Sequence, residues 1–420
     1  MKRMNPFMKH ISISALCLSL LLTGCGGSTG KQTASVFRNS SETEAVSEKT
    51  DDNKETTPAE TEMQVQTESE TETEPPEITE TVTLIAAGDN LIHNSVYTHA
   101  YNRSKKTYDF APMYDDIKDE ISSRDIAVIN QETIFVADES NVSSYPAFGT
   151  PQVMGDALVD VGFDVILNAT NHTYDKRMTG LEDTLAFWKK YPEITILGIH
   201  ETQEDADTVD VVEKNGIRMA MFNYTYAQNG DRVPEKSYMI DMLSNNKKKL
   251  LSDLRDVEDD VDISICFIHI GREYVYEPTD SQVETINEMI DAGADLVICA
   301  HPHVVEPYKE VVTEAGNSAI VFYSCGNLIS GQDEIPRLLG GLADVTIKKT
   351  SKGDESSTIV SSCDFIPVVT HYTSSESKVY LLEHYTDSLA KKHSIRRHDS
   401  RFSVDYLWDL WCDITGEERP

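Results

Sequence analysis

Side chains that could bind a metal ion follow most of the apolar, strand-like runs in this chain of 420 residues. The clearest example is His301-Pro302-His303, which comes directly after the run at 295–300. A strand that ends there would deliver both imidazoles to a loop at a sheet edge, where a metal ion or an anion can approach. Taken alone, the pair fits equally well two surface histidines in a turn that Pro302 makes rigid. The other strand ends favour the metal site.

Polar residues also stand in or just after five other strand-like runs. They are Asp89, Asn130, Glu132, Asn171, His172, His269 and Asn327. Each alone would be an ordinary turn residue, helix cap or core histidine, but together they form a mixed oxygen and nitrogen ligand set, which suits Mn, Zn, Fe or Mg. One tetrahedral ion needs fewer ligands than this set offers. The set therefore predicts two divalent ions about 4 Å apart, bridged by the carboxylate of Glu132, in an arrangement suited to phosphoester cleavage.

These residues need elements that bring strand ends together, and the sequence supplies them. From residue 81 onward, short β-rich runs alternate with helical segments, which predicts an α/β domain. Strands are predicted at 81–87, 125–130, 163–168, 194–198, 217–223, 262–270, 295–300 and 319–324. Helices are predicted at about 112–123, 152–161, 178–190, 244–257 and 280–291. The polar residues then gather at the carboxyl edge of the sheet.

Residues 1–25 have the features of an export signal. A basic start precedes the apolar run at 11–22, and Leu22-Thr23-Gly24-Cys25 follows. This tetrapeptide resembles a bacterial lipobox, which implies lipidation of Cys25 and an extracytoplasmic protein anchored to the cell membrane. An uncleaved membrane helix is the alternative, but the apolar run is shorter than the roughly 20 residues that span a bilayer.

Residues 26–80 are rich in Ser, Thr and Glu and predict a disordered tether. This linker carries 14 acidic and four basic residues, so its net charge is −10. Since the leader carries +3 and the whole chain −34, residues 81–420 carry −27. This acidity argues against nucleic acid and anionic lipid headgroups as partners of the folded part. It does not exclude an anionic substrate that binds through a metal.

The cysteines say little about redox state. Five remain after residue 25, and an odd number cannot all pair. Cys266, Cys299 and Cys325 lie in apolar runs, which favours a role as small buried side chains. Cys363 and Cys412 could pair with each other, and the sequence leaves this open.

Six segments resemble, in order, the bacterial CapA proteins of poly-γ-glutamate capsule biosynthesis, which belong to the calcineurin-like metallophosphatase superfamily. The segments are AAGDNLI (86–92), VINQET (128–133), NATNHTYDKRMTGLEDTL (168–185), FIHIGREY (267–274), ICAHPHVVEP (298–307) and FYSCGNLI (322–329). The resemblance implies a four-layer α/β/β/α sandwich at 81–350, with a metal site at the sheet edges. A C-terminal extension at 351–420 would complete or cap this domain.

The resemblance also implies roles for individual residues. The implied metal ligands are Asp89, Glu132, Asn171, His269, His301 and His303. His172 is similar to the superfamily histidine that protonates or stabilises the leaving group, and Asp175 would orient it.

Two further residues are candidates for substrate binding. Glu273 could contact substrate or support the ligands, and a salt bridge with Arg272 is the alternative. Asn327 could donate a hydrogen bond to a substrate oxygen or simply hold the turn that Gly326 begins.

The segment after the first strand departs from the superfamily pattern. That pattern usually has a histidine two residues after the first aspartate, whereas Leu91 follows Asp89 here. CapA relatives commonly share this loss, so it bears on phosphatase chemistry more than on family membership. His93 could substitute through the turn. His200 stands near the expected site, where a small residue is usual, and a surface loop is its alternative.

Three classes of function fit these residues. The favoured one is an anchored extracytoplasmic protein that acts in poly-γ-glutamate synthesis or export, with synthase or exporter subunits as partners and an anionic polymer as ligand. The second is a metal-dependent phosphoesterase or other hydrolase that acts on a cell-envelope polymer. The third is a metal-stabilised binding domain. The ligand set favours the first two, and Leu91 favours the first over the second.

Overall fold

A computed structural model describes residues 75–230 and 233–419. The predicted leader, the predicted lipidation site Cys25 and the predicted linker up to residue 74 lie outside these described residues. Among the described helices, none has the length and apolar character needed to cross a membrane.

The described residues form strands and helices in alternation over most of their length. The strands are β1 (Glu77–Asn90), β2 (Tyr101–Asn102), β3 (Thr107–Tyr108), β4 (Ile126–Asn130), β5 (Phe135–Val136), β6 (Thr150–Pro151), β7 (Val165–Leu167), β8 (Thr195–Leu197), β9 (Asp210–Lys214), β10 (Ile217–Thr225), β11 (Ile263–His269), β12 (Leu296–Ala300), β13 (Val305–Val312), β14 (Ser318–Cys325), β15 (Asn327–Ile329), β16 (Leu339–Lys352), β17 (Glu355–Tyr372) and β18 (Ser377–Leu381). The α-helices are α1 (Asn94–Ala100), α2 (Lys118–Ser122), α3 (Val153–Val161), α4 (Arg177–Trp188), α5 (Gln203–Asp207), α6 (Leu243–Val257), α7 (Asp280–Ile290), α8 (Asp387–Lys392) and α9 (Val404–Thr415).

Two large mixed sheets form the centre of the fold. The first sheet has the order β18-β17-β16-β1-β4-β7-β8, and β15 pairs with the end of β1. In it, β1, β4, β7 and β8 are parallel, whereas β16, β17 and β18 add antiparallel pairs. The second sheet has the order β13-β14-β12-β11-β10-β9, with four parallel central strands and antiparallel edges.

The sheets pack face to face between two layers of helices. Side chains at alternate positions of β1 show this: Leu84 lies in the core between the sheets, while Ile85 faces α1, α2, α3 and α4. The outer face of the second sheet is covered by α6 and α7, through residues such as Leu250 and Ile286. Full burial of one such side chain contributes about 1.5–3 kcal/mol to stability. The predicted four-layer α/β/β/α sandwich is confirmed.

A short segment at 239–242 joins the two sheets at one side. Ile240 forms a bridge with Ile199, just after β8 of the first sheet, and Met242 forms one with Thr225 at the end of β10 in the second. Within this segment, the side chain of Asp241 lies 2.7 Å from Nε2 of His200. His200 is buried at 6% exposure, so it does not lie on a surface loop.

All eight predicted strands are present, with ends that differ by a few residues. The predicted helix at 112–123 is a 3₁₀ turn at Ala111–Met113 followed by the short α2. β1 begins at Glu77, inside the predicted linker, because its polar residues pair along β16, with Glu80 opposite Lys349. Composition alone does not reveal such an exposed, polar strand end.

Residues after 350 are integrated with the sheets. β17 continues the hairpin that β16 begins and β18 forms the edge of the first sheet. α9 contributes Leu407 and Trp411 to the core between the sheets. Cys363 and Cys412 are free thiols.

Candidate metal centre

The candidate centre lies where the carboxyl ends of β1, β4, β11 and β12 meet. Asp89 at the end of β1 is in register with Asn130 of β4 and Asn327 of β15. In the second sheet, His269 ends β11 beside Ala300, which directly precedes the His301-Pro302-His303 loop. Strand pairing aligns the ends within each sheet, and the face-to-face packing of the two sheets then brings together residues that are 212 positions apart in sequence, such as Asp89 and His301.

Gly88 allows β1 to approach the turn before β15. A Cβ atom at this position would lie 2.0 Å from the carbonyl oxygen of Gly326, which is closer than any stable contact. The next residue, Asp89, donates its backbone N–H to the same oxygen at 2.8 Å. The glycine thus fixes the position of the Asp89 carboxylate relative to Asn327.

All six predicted ligands gather at this place, and each is at most 3% exposed. They are Asp89, Glu132, Asn171, His269, His301 and His303. His269 Nε2 lies 3.0 Å from Asn171 Oδ1 and 3.9 Å from Glu132 Oε1. His303 Nδ1 lies 3.0 Å from Asp89 Oδ2, and its Nε2 lies 3.8 Å from Glu132 Oε1. The sequence therefore identified a set of residues that is spatially compact.

The loop that carries His301 and His303 has an unusual backbone. Both residues have positive φ angles, 105° and 58°. Non-glycine residues seldom adopt such angles, which cost on the order of 1–3 kcal/mol and concentrate at functional sites. The backbone N–H of His301 lies 3.4 Å from Asp89 Oδ2. This conformation brings both imidazoles of the loop next to the first sheet.

Glu132 tests whether the centre fits a cation. Its side chain is 1% exposed, and neither carboxylate oxygen has a hydrogen-bond partner among the described residues. A buried carboxylate without partners costs several kcal/mol unless a cation compensates it. Asp89, Glu132 and His303 place their ligand atoms within 4.8 Å of one another. The donor set therefore fits a divalent cation.

Two of the three histidines are held neutral, as metal ligands must be. Burial lowers the pKa of His269 well below its usual value, and the neighbouring imidazoles of His301 and His303 add to this effect. Burial and His303 likewise lower the pKa of His301 to about 4. Nδ1 of His301 is buried without a partner in the described part of the chain. It therefore keeps a lone pair available for an ion.

His303 is electrostatically different from the other two histidines. Burial opposes its charged form, but the carboxylates of Glu132 and Asp89 outweigh burial and raise its pKa to about 9. Burial also raises the pKa of Glu132 well above its usual value. A positive charge is thus favoured between these two carboxylates.

Glu273 belongs to a second group of candidate ligands. Its carboxylate and the imidazoles of His301 and His303 place ligand atoms within 4.8 Å of one another. Glu273 is exposed, whereas the two histidines are buried. The two groups share His303, so Glu273 and His301 lie directly beside the position that Asp89, Glu132 and His303 surround. No Arg272 ion pair occurs among the described residues, and substrate contact by Glu273 stays a prediction.

His172 and Asp175 form a dyad beside the ligands. Nδ1 of His172 lies 2.7 Å from Asp175 Oδ2, which also accepts the backbone N–H of Phe148 at 2.7 Å. The ring of Phe148 packs edge-on against His172 at 4.7 Å. Asn229 approaches Nε2 of His172 to 3.2 Å. Asp175 is therefore placed to orient the His172 ring, and a catalytic role of the pair stays a prediction.

Asn327 is fully buried, and its amide contacts protein groups. Nδ2 donates to the carbonyl oxygens of His303 at 3.2 Å and Arg337 at 2.9 Å. Oδ1 lies 3.2 Å from Nδ1 of His303. These contacts favour the turn-holding alternative for Asn327.

Residues that sequence reasoning did not assign support the ligands. Asn130, noted only as one of the strand-end residues, donates its side-chain N–H to Asp89 Oδ1 at 2.7 Å and lies 3.2 Å from His269 Nδ1. Tyr226 packs its ring 4.8 Å from that of His301. Tyr226 directly follows Thr225, which pairs with His269 in the parallel strands β10 and β11. The sequence could therefore have indicated Tyr226 as one more strand-end residue near the centre.

Leu91, which replaces the superfamily histidine, is a core residue at 2% exposure. His93 lies nearby, with its ring 5.1 Å from Phe148 and its Nδ1 accepting the N–H of Gly331 at 3.1 Å. Burial lowers the pKa of His93 to about 4. One ring nitrogen is thus engaged by the backbone, and substitution for the missing histidine stays a prediction.

Comparison with known proteins places this centre in a family. Residues 83–332 match the model of the family described as "Bacterial capsule synthesis protein PGA_cap". The "PGA biosynthesis protein CapA" of Bacillus subtilis is 28% identical over 232 residues, which cover 55% of this chain and 59% of that protein. The "Capsule biosynthesis protein CapA" of Bacillus anthracis is 29% identical over 180 residues, 42% of each chain. The chain thus aligns with only about half the length of these relatives.

Solved structures with similar folds include a phosphatase from Mycoplasma pneumoniae and a dimetal phosphatase from Danio rerio. The first has a TM-score of 0.40 and 14% identity and covers 70% of this chain and 95% of that one. The second has a TM-score of 0.35 and 11% identity and covers 67% of this chain and all of that one. Such distant likenesses do not establish an activity.

The family match includes the Asp89, Glu132, Asn171, His269 and His301-His303 segments and covers more than half of the sequence. The chain therefore belongs to the bacterial capsule synthesis protein family PGA_cap.

Proposed function

We propose that this protein is a lipid-anchored, extracytoplasmic CapA-like protein that holds two divalent metal ions and acts in poly-γ-glutamate synthesis or export. Glu132 carries the metal part of this proposal, because its buried and unpartnered carboxylate fits a cation. The names of the two CapA relatives support the capsule role. The lipobox-like segment that ends at Cys25 supports the anchor.

Each side chain has a part in this proposal. Asp89, Glu132 and His303 would hold one ion, and Glu273 and His301 would contribute to the other. Asn171 and His269, which lie 3.0 Å apart, would supply the remaining ligands. Bound divalent ions would attract carboxylate or phosphate oxygens and polarise them. Synthase or exporter subunits are the proposed protein partners. Residues 81–420 carry a net charge of −27 and would repel an anionic polymer, so the polymer would contact the protein through the bound cations.

Metal content and hydrolase activity, measured together, test the proposal. The full chain, purified in detergent, is compared with the double variant His301→Ala, His303→Ala for bound Mn, Zn, Fe and Mg and for turnover of a general phosphodiester. We expect two ions per wild-type chain and a loss of at least one in the variant. Metal without turnover supports the polymer-assembly role. Absence of metal from the wild-type chain would contradict the site.

A second double variant, His371→Ala, His393→Ala, is the matched control. These two histidines are also buried, and their rings lie 5.1 Å apart in a different part of the described structure. Their loss should leave the metal content unchanged. If it lowers metal content equally, the effect on the first variant reflects general unfolding.

A metal-dependent hydrolase that acts on a phosphoester or amide of a cell-envelope polymer is the second candidate function. The His172–Asp175 dyad favours it, because a carboxylate that orients an imidazole is the arrangement of a general acid or base. If turnover is found, Asp175→Asn should reduce it about 100-fold or more while the metal content stays unchanged. Unchanged turnover would remove the dyad from the mechanism.

A further inference from the structure

Tyr274 and Arg337 form a stack beside the metal centre. The guanidinium of Arg337 lies 3.6 Å from the centre of the Tyr274 ring. That ring in turn lies 6.0 Å from the ring of His303, at an angle of 33° between the planes. A planar cation is thus stacked on an aromatic ring that itself lies beside a candidate ligand.

Both partners of the stack are held by the loops that build the centre. Tyr274, with a positive φ of 65°, donates its backbone N–H to the carbonyl of Pro302 at 2.8 Å. The backbone carbonyl of Arg337 accepts from Asn327, which also contacts His303. The backbones of Tyr274 and Arg337 are therefore both tied to residues that surround His303.

Arg337 has donor capacity that the protein does not use. Nη2 donates to Glu334 Oε1 at 2.9 Å, and Nε and Nη1 have no hydrogen-bond partner in the described ranges. The side chain is only 18% exposed, so its orientation is restricted by packing. Nη2 carries a second N–H, and this N–H together with either Nε or Nη1 forms a fork of two parallel donors that suits a planar carboxylate.

The local charges leave Arg337 available for an anion. Arg337 is largely buried but Glu334 is 63% exposed, so solvent screens the Glu334 carboxylate and weakens its attraction to the guanidinium. Glu273, adjacent to Tyr274, belongs to the candidate metal ligands, so a bound ion would compensate its charge. Arg337 therefore adds positive charge beside a centre that contains the carboxylates of Asp89, Glu132 and Glu273.

The geometry points to a carboxylate-binding subsite, formed by Tyr274 and Arg337, that holds a free carboxylate of a polyanionic polymer next to the metal centre. This inference rests on the proposed function, since it names the class of ligand for the same site. Arg337 would provide the hydrogen bonds and charge, and Tyr274 would keep the guanidinium flat. The subsite would select polymers with a regular spacing of carboxylates.

Binding of a γ-linked hexaglutamate to the full chain in detergent tests the subsite. Calorimetric titration compares the wild type with Arg337→Gln, Arg337→Lys and Tyr274→Phe, and metal content is measured for each. We expect Arg337→Gln to weaken binding about tenfold with unchanged metal content. Arg337→Lys should recover only part of the loss, because an ammonium lacks the planar pair of donors. Tyr274→Phe should bind nearly as the wild type does, since it keeps the ring.

Arg272→Gln is the matched control. Arg272 is an exposed arginine in the same loop as Tyr274, and its removal changes the net charge equally. If Arg337→Gln weakens binding no more than Arg272→Gln, the subsite is ruled out.

Two further arms separate the alternatives. In the first, tripolyphosphate replaces hexaglutamate. If Arg337→Gln weakens the binding of tripolyphosphate but not that of hexaglutamate, the subsite binds phosphate and its assignment as a carboxylate subsite is wrong. In the second, the titration is repeated with chelator. If the wild type still binds hexaglutamate in chelator, and Arg337→Gln still weakens that binding, the subsite stands. The metal part of the proposed function would then be contradicted.

Discussion

Glu132 is a side chain whose sequence context suggests function and whose surroundings oppose folding. Its carboxylate is buried without a hydrogen-bond partner in the described part of the molecule. Such a carboxylate lowers stability until a ligand binds. A residue with this cost is typically retained because function requires it. The free energy of unfolding of the metal-free protein, compared with that of a variant at this position, therefore tests whether Glu132 serves metal binding or stability.

Glu132→Gln should stabilise the metal-free protein and remove its response to metal. The neutral amide needs no compensating charge, whereas the metal-free wild type relies on protonated His303, whose pKa is about 9. We therefore expect a gain of about 1 kcal/mol in the free energy of unfolding at pH 9 with chelator present. Added metal should then stabilise the wild type but not the variant. Urea unfolding of both proteins, with and without metal, measures this. A variant that is less stable than the wild type in chelator would make Glu132 a structural residue.

Glu306→Gln provides a matched control with its own pH dependence. Glu306 is also fully buried with an unpartnered oxygen, and burial raises its pKa to about 8. Since its folded-state pKa is raised, its stabilising contribution is present below about pH 4.5 and is lost as the pH rises through 8. The advantage of Glu306→Gln over the wild type should therefore grow from pH 5 to pH 9, by on the order of 3 kcal/mol. Metal content should stay unchanged.

The site residues differ in how visible they are in sequence. His301 and His303 are visible because an apolar run ends directly before them, and Asp89 and Glu132 stand after other such runs. Arg337 is invisible, because its position depends on the turn that follows β15 and on a stack with a residue 63 positions earlier. The sequence pattern predicts which residues lie at the end of a strand. Contacts between residues of different loops can be identified only from the tertiary structure.

Strands that carry an apolar, β-rich pattern were predicted, and strands without one were missed. β16 has 14 residues but begins with Leu339-Gly340-Gly341 and ends in a lysine-rich stretch, so neither end resembles a strand. The glycines are required by packing, because a Cβ at Gly341 would lie 2.2 Å from the ring of Phe365. β13 was missed in the same way, since its outer half is exposed and polar. Such strands depend on partners that are distant in sequence.

Asp241 in the segment at 239–242 forms an ion pair with His200. This pair gives the stability of the protein a predictable pH dependence. Burial opposes the charged form of His200, but Asp241, Asp205 and Asp210 outweigh burial and raise its pKa above the usual value. Its contribution to stability is therefore full below about pH 6.5 and is lost as the pH rises through the higher folded-state pKa. Asp210, with a pKa raised to about 6 mainly by burial, titrates at lower pH.

His200→Asn should thus lose stability relative to the wild type mainly at low pH. We expect a difference of about 1.5–3 kcal/mol at pH 6 that becomes smaller by pH 9, measured by urea unfolding at each pH. His384→Asn is the control, because His384 pairs with Asp116 at 3.2 Å but is 52% exposed. That variant should change stability by less than about 1 kcal/mol. A His200→Asn deficit that grows with pH would contradict the ion pair.

The net charge of the whole molecule determines how it can meet an anionic polymer. Residues 81–420 carry −27, so direct contact with poly-γ-glutamate is repulsive unless cations intervene. Binding of the polymer to the full chain should therefore require metal and disappear in chelator. Raising the salt concentration from about 10 to 150 mM should speed association, because it shortens the range of the repulsion from about 30 to 8 Å. Light scattering or a surface-binding assay measures both effects.

Equal binding with and without chelator would contradict this mode of contact. Readdition of the metal after chelation is the control, and it should restore binding in full. Binding that does not return would indicate damage to the protein by the chelator.

The position of Glu77 at the start of β1 has a mechanical consequence. β1 is a central strand that runs from the side where the proposed tether would enter to Asp89 at the metal centre. A pull on residue 77 would act along the strand. Its antiparallel pairs with β16, from Glu77 opposite Lys352 to Ala87 opposite Leu342, would then be loaded in shear and share the force. If the proposed polymer and the proposed membrane anchor pull on opposite ends of β1, its hydrogen bonds to β16 would resist the force together and would not break one after another.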